Sequence, residues 1–149
     1  MRIPIVSGTV PARKVYPLRL MVLRPGGVLA DCIFEGDDDS TTVHVAASEM
    51  SGRIRAVGSY YEKGHSAIQA KRPIQLRGMA SHPDVRGKGF GAEVLAYGMM
   101  IFYGGGADSI WCNAREVAVP FYEKHGFQKI GEPFEIANIG THWVMFNKR

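Results

Sequence analysis

Between Gln75 and Gly91 the chain reads Gln-Leu-Arg-Gly-Met-Ala-Ser-His-Pro-Asp-Val-Arg-Gly-Lys-Gly-Phe-Gly. Gly87, Gly89 and Gly91 alternate at its end, with Arg86 ahead of them and Lys88 among them. An apolar, helix-forming run, residues 92–102, follows directly. A strand, a glycine-rich turn and a helix start carrying two cations make a site for a phosphate chain. Backbone N–H groups at a helix N-terminus are unpaired, and the helix dipole favours negative charge there. Glycines let the backbone approach a bulky pyrophosphate with no side chain in the way.

Spacing decides between phosphate loops. The Walker pattern needs Gly-Lys followed by Ser or Thr, whereas Lys88 is followed by Gly89 and Phe90. The dinucleotide fingerprint Gly-x-Gly-x-x-Gly fails because these glycines run Gly-x-Gly-x-Gly, and no first βαβ unit precedes them. Arg-x-x-Gly-x-Gly remains, here Arg86-Gly87-Lys88-Gly89-Phe90-Gly91. Upstream, Arg77 lies between Leu76 and Gly78 in a run that reads as a mostly buried strand. A buried guanidinium without an anion is costly, so a structural acid or an anionic ligand must answer it.

The elements that must hold these residues follow from periodicity and breakers. A short first strand is predicted over residues 3–6 and a helix over 11–24, kinked or delayed by Pro17 and ended by Pro25-Gly26-Gly27. Residues 28–41 read as loop, with Asp37-Asp38-Asp39 expected to be solvated. Residues 42–47 and 53–61 read as a hairpin turning at Met50-Ser51-Gly52. A strand over 74–80 contains Gly78, an isolated glycine of the kind that marks a bulge or a close approach. The helix over 91–102 stops at Gly104-Gly105-Gly106. A strand over 108–113, a helix over 116–125 and strands over 127–130 and 142–147 complete the chain, the last two separated by a loop. This order predicts an α/β (α+β) fold with a central mixed sheet.

The loop motif resembles the acyl-CoA loop of the GNAT acetyltransferases. Pro120-Phe121-Tyr122-Glu123-Lys124-His125-Gly126-Phe127 is similar to that family's later helix. Leu23-Arg24-Pro25, Gln75–Ala80, Trp111-Cys112-Asn113-Ala114-Arg115 and Gly140-Thr141-His142 resemble one branch, glyphosate N-acetyltransferase and its relatives. The likeness runs from about residue 16 to the end and is thinnest over 37–73.

The resemblance implies a GNAT-like fold, a central twisted mixed sheet flanked by helices, and acetyl-CoA as co-substrate. Arg86, Gly87, Lys88, Gly89, Phe90 and Gly91 would hold the pyrophosphate through main-chain N–H groups. Met79, Ala80 and Ser81 would take the pantetheine and the acetyl carbonyl, polarising the carbonyl, and Asn113 would cap the pantetheine arm. Tyr122 would protonate the leaving thiolate, and His142, after Gly140-Thr141, would deprotonate the amine. Arg24, Arg77 and Arg115 would pair with a carboxylate or phosphonate of the acceptor. The expected reaction is direct acetyl transfer to the amine of a small anionic, amino acid-like substrate. A different amine (a peptide N-terminus, a polyamine or an antibiotic) and a non-catalytic acyl-CoA-binding module are the alternatives. Bulkier residues than the branch carries, Glu116-Val117-Ala118-Val119-Pro120, make acetyl transfer the firmer expectation and glyphosate the weaker one.

Composition agrees. The 149 residues fit one domain, 1–149, with 46% apolar and 21% charged residues and a net charge of +4. That mild basic excess suits a small anion better than nucleic acid, since basic and aromatic residues do not interleave. No apolar run is long enough to span a membrane, and no signal-peptide core opens the chain. Cys32 and Cys112 lie far outside metal-type spacing, so two reduced thiols in a cytoplasmic protein and no metal are expected. The expected assembly is a monomer or homodimer.

Overall fold

The computed structural model describes residues 3–149. Its strands are β1 (Val6–Val10), β2 (Val43–Ser48), β3 (Ile54–Tyr61), β4 (Pro73–Ser81), β5 (Ser109–Arg115), β6 (Gln128–Ile136) and β7 (Gly140–Lys148). They join a mixed seven-stranded sheet in the order β1-β2-β3-β4-β5-β7-β6, with β4 and β5 parallel. The helices are α1 (Tyr16–Leu18), α2 (Phe90–Gly104) and α3 (Val119–Lys124), giving the α+β class expected. The chain falls into two compact units. One is built from residues up to Tyr61 with Leu76–Ile101, the other from Glu62–Gln75 with Phe102–Arg149.

In the first unit, β1, β2 and β3 form an antiparallel meander that turns at Gly52, which adopts φ +93°. The turn matches the predicted Met50-Ser51-Gly52, but the first strand lies at Val6–Val10, later than residues 3–6. Val15, Leu18, Ala46, Val57 and Ala80 make an apolar core. The helix predicted over 11–24 is shorter and broken. A 3-10 turn, Ala12–Lys14, leads to α1, which starts late so that Pro17 sits in its first turn, where a missing N–H costs nothing. A π-helical turn, Arg19–Leu23, follows and closes with the Arg24 amide on the Arg19 carbonyl.

That wider turn carries Arg19 into a fully buried position. Its guanidinium donates to both Asp37 carboxylate oxygens at 2.6 and 3.1 Å, to Ser59 Oγ at 2.9 Å, to Tyr61 Oη at 3.1 Å and to the Cys32 carbonyl at 2.7 Å. Asp37 accepts further bonds from the Tyr61 hydroxyl at 2.5 Å and the Phe34 amide at 2.8 Å. His44 bridges the Ser59 hydroxyl and the Asp37 carbonyl. The acidic run is therefore split: Asp38 and Asp39 are exposed as expected, whereas Asp37 is buried because Arg19 demands a counter-charge. Burial alone would raise the Asp37 carboxyl. Bonds from Arg19, Tyr61 and the Phe34 amide, with the Arg19 charge, outweigh it and hold the group below its ordinary value. Burial, then the bond to Asp37, pushes the Tyr61 phenol up to about 12.

Helix α2 lies directly on β3. Tyr60 donates its hydroxyl to the Val94 carbonyl at 3.0 Å, and its ring crosses the helix at Gly98. A Cβ at Gly98 would fall 2.0 Å from Tyr60 Cζ, so only glycine fits. The helix ends at the predicted glycines, with Gly106 at φ +102°.

In the second unit, Ile68, Trp111 and Val144 form one buried apolar cluster. Trp111 donates to the Lys63 carbonyl at 2.8 Å, and Asp108 accepts the Lys71 and Arg72 amides, fixing the approach to β4. Strands β6 and β7 are longer than the predicted 127–130 and 142–147. Gly131 and Pro133, read as loop, are absorbed in a register irregularity between Ile130 and Phe134. An edge strand tolerates both residues, and β6 is at the sheet edge. Both cysteines are free and buried.

Two stability outcomes follow. Alanine at Gly98 should destabilise by about 1–3 kcal/mol from overpacking, although helix propensity alone favours alanine by about 1 kcal/mol; a higher denaturation midpoint for Gly98→Ala would refute the Tyr60 contact. Asp37→Asn should lose about 3–5 kcal/mol at neutral pH by stranding Arg19. A carboxyl held low in the folded state stabilises above its unfolded pKa, about 3.9, and loses that contribution as pH falls through the folded value. Urea midpoints measured down through that range should therefore drop less steeply in Asp37→Asn than in the wild type.

Candidate active site

In the first unit the glycine loop is pinned at both ends. Val85 and Phe90 are buried, while Arg86, Gly87 and Lys88 are exposed between them. Gly87 and Gly89 adopt φ +77° and +92°, the left-handed region that favours glycine. The Lys88 amide is already used, donating to the Val85 carbonyl at 3.1 Å. The amides of Arg86, Gly87 and Gly89 have no backbone acceptor among the described residues, and α2 begins at Phe90, where the amides ahead of Glu93, which donates to the Gly89 carbonyl at 3.1 Å, have no preceding turn to accept them. Exposed amides, two cations and a helix N-terminus are the donor set that a pyrophosphate requires. Those donors fit the CoA group.

Strand β4 carries the acyl-binding candidates. Its ladder with β5 covers Pro73↔Ser109, Ile74↔Ile110 and Gln75↔Trp111 and goes no further, although β4 continues to Ser81. Ala80 is buried, and Met79 and Ser81 are half-buried. Gly78 takes φ +68° within the strand, and a Cβ there would meet Arg19 Nε at 3.0 Å and Phe34 Cε2 at 3.2 Å. The glycine singled out in the sequence is thus a close approach to residues that the sequence reading passed over.

The same corner gathers Arg24 and Arg77. The Arg77 guanidinium carbon lies 4.7 Å from the Phe34 ring centroid and 5.7 Å from that of Tyr61, and that of Arg24 lies 5.8 Å from Phe34. Arg19 stacks on Phe34 at 4.0 Å. Only Arg19 has a carboxylate; among the described residues neither Arg24 nor Arg77 forms an ion pair. Arg24 donates to the Leu23 carbonyl at 2.9 Å.

In the second unit, β5 and β7 set Arg115 opposite His142, with Phe134 of β6 opposite His142 on the other side. Directly opposed residues share a face, so the Arg115 and His142 side chains are neighbours. His142 is buried, and its Nδ1 lies 2.8 Å from the Gly140 carbonyl. A carbonyl only accepts, so Nδ1 carries the proton, and the Nε2 lone pair of the neutral ring is left to accept one. The Phe134 ring flanks the imidazole at 5.8 Å. Asn113, exposed on β5, pairs with Val144.

Tyr122 on α3 is buried against Phe121 and Phe127 and is hydrogen-bonded to the Cys112 thiol. Burial pushes that thiol up to about 12, against the opposing effect of Tyr122, so Cys112 is no thiolate nucleophile at neutral pH. The candidate residues therefore form two local groups: Arg24 and Arg77 with β4 and the glycine loop, and Asn113, Arg115, Tyr122 and His142. Arg19 and Phe34 drew no expectation from the sequence, and Asp37 and Tyr61 were read only as part of a solvated acidic run and of a strand. One signal was available, since Arg19 is the lone charge in the apolar run Leu18–Leu23 and needed a buried partner.

Comparison with known proteins gives the family. The Acetyltransferase (GNAT) domain family matches residues 39–129. The chain is 27% identical over 138 residues to the uncharacterized N-acetyltransferase YitI of Bacillus subtilis (strain 168), covering 93% of this chain and 92% of the relative. The structure of Escherichia coli ElaA is similar, with a TM-score of 0.78, 14% identity, and 97% of this chain and 100% of that one covered. So is an aminoglycoside 6'-N-acetyltransferase solved with coenzyme A, with a TM-score of 0.75, 12% identity, and 96% of each chain covered. The family match spans both the glycine loop and the α3 motif, and the chain is an enzyme of the GNAT N-acetyltransferase family.

Proposed function

We propose that this enzyme transfers acetyl from acetyl-CoA directly to the amine of a small acceptor bearing a carboxylate or phosphonate. The observation that carries the acceptor class is the pair Arg24 and Arg77, two half-buried guanidiniums on one aromatic ring with no ion-pair partner among the described residues. Cationic acceptors such as polyamines would instead call for acids there. The branch likeness to glyphosate N-acetyltransferase agrees with the same arginines, and glyphosate is one acceptor of this class.

Each residue then has a task. The Arg86–Gly91 loop binds the pyrophosphate, Met79, Ala80 and Ser81 the acyl-bearing arm, and Asn113 caps that arm. Arg24, Arg77 and Arg115 hold the acceptor's acid. His142 Nε2 takes the amine proton, while Gly140 fixes the ring through Nδ1. The amine nitrogen bonds to the acetyl carbon, the carbon–sulfur bond breaks, and Tyr122 supplies a proton to the departing sulfur.

A thiol-release assay with acetyl-CoA should show turnover with acidic amino acids or aminophosphonates and little with polyamines or aminoglycosides; the reverse order would overturn the acceptor class. Acetyl-CoA binding without turnover on any amine would favour the binding-module alternative. His142→Ala should lower kcat by about 10²–10⁴ at neutral pH, and wild-type turnover in that variant would remove the base assignment. Arg77→Gln should raise the acceptor KM by roughly tenfold or more, with the KM for acetyl-CoA unchanged.

A further inference from the structure

We propose that Phe34 is a positioning residue for acceptor recognition: its ring holds Arg24 and Arg77 in place as uncompensated cations. Two guanidiniums at one spot repel, and proteins commonly relieve this with an interposed Asp or Glu. An acid here would hold the arginines but consume the charge that an anionic ligand needs. A phenyl face attracts cations through its quadrupole and carries no net charge, so it can order both groups and leave them available.

The ring is itself held rigidly. The Phe34 amide donates to Asp37 at 2.8 Å, Arg19 stacks on the ring at 4.0 Å, and the β4 backbone abuts it at Gly78. Arg77 also lies against Tyr61, whose hydroxyl is bonded to the same Asp37. Asp37 thus anchors both rings that carry Arg77. The carboxylate neutralises Arg19 in the interior, and its aromatic dependents present Arg24 and Arg77, which form no ion pair among the described residues.

The proposal rests on the anionic-acceptor reading and deepens it. The test uses the full chain without ligand, with Arg24 and Arg77 Nε–Hε NMR resonances assigned by Lys substitution. Phe34→Leu should abolish the ring-current shifts of both and weaken inorganic phosphate binding at those resonances roughly tenfold. It should raise the KM for an acidic amine without changing that for acetyl-CoA. Phe34→Tyr, which keeps the ring, should stay within about twofold of wild type on every readout. Phe34→Met serves the same purpose as Phe34→Leu if the latter does not fold. Unchanged resonances and phosphate binding in the ring-less variant, or equal losses in Tyr and Leu variants, would overturn the proposal. If Arg24→Gln and Arg77→Gln leave the acceptor KM untouched, the anionic-acceptor reading falls, while the ring-current result still decides whether Phe34 holds the two arginines.

Discussion

The buried ion pair between Arg19 and Asp37 is the constraint on which the first unit depends. Burying two charges is expensive, and hydrogen bonds to their remaining donors and acceptors offset much of the cost, although Arg19 Nε has no hydrogen-bond partner among the described residues. Here the π-helical turn delivers Arg19, the 34–37 turn delivers Asp37, β2 contributes His44, and β3 contributes Ser59 and Tyr61. Four segments distant in sequence are tied to one charge pair. Such a network is weak evidence for extra stability and better evidence for a single fixed geometry. What it fixes is the corner where Phe34, Gly78 and Arg77 meet.

The second unit orients His142 by a simpler device. A backbone carbonyl at the start of β7 selects the His142 tautomer, and the antiparallel register of β5 and β7 sets Arg115 beside it. No buried carboxylate is needed to orient the imidazole. The candidate cations thus meet a phenyl ring in the first unit and a carbonyl-bound imidazole in the second.

The sequence made the chemistry-bearing motifs legible because they depend on local spacing. Alternating glycines need left-handed backbone, and Gly87 and Gly89 have it. The strand glycine Gly78 announced a close approach, and one exists. The hairpin, α2 and its glycine stop were equally local. Partnerships across long separations were not legible. Arg19 and Asp37 lie 18 residues apart, and an acidic run with exposed Asp38 and Asp39 disguised the buried member. The extent of β6 and β7 was hidden for a related reason, since Gly131 and Pro133 read as breakers unless the strand is known to lie at an edge. Phe34 carried no sequence signal, because an aromatic in a loop shows its purpose only when cations are found on it.

The central claim is that uncompensated arginines select an acid-bearing amine. Its most direct measurement compares one acidic amine with its own amide or ester, the reacting nitrogen being unchanged. The wild-type kcat/KM should fall by roughly tenfold or more when the acid is masked, as expected for losing a charged hydrogen bond. Equal kcat/KM for the acid and its masked form would contradict the account.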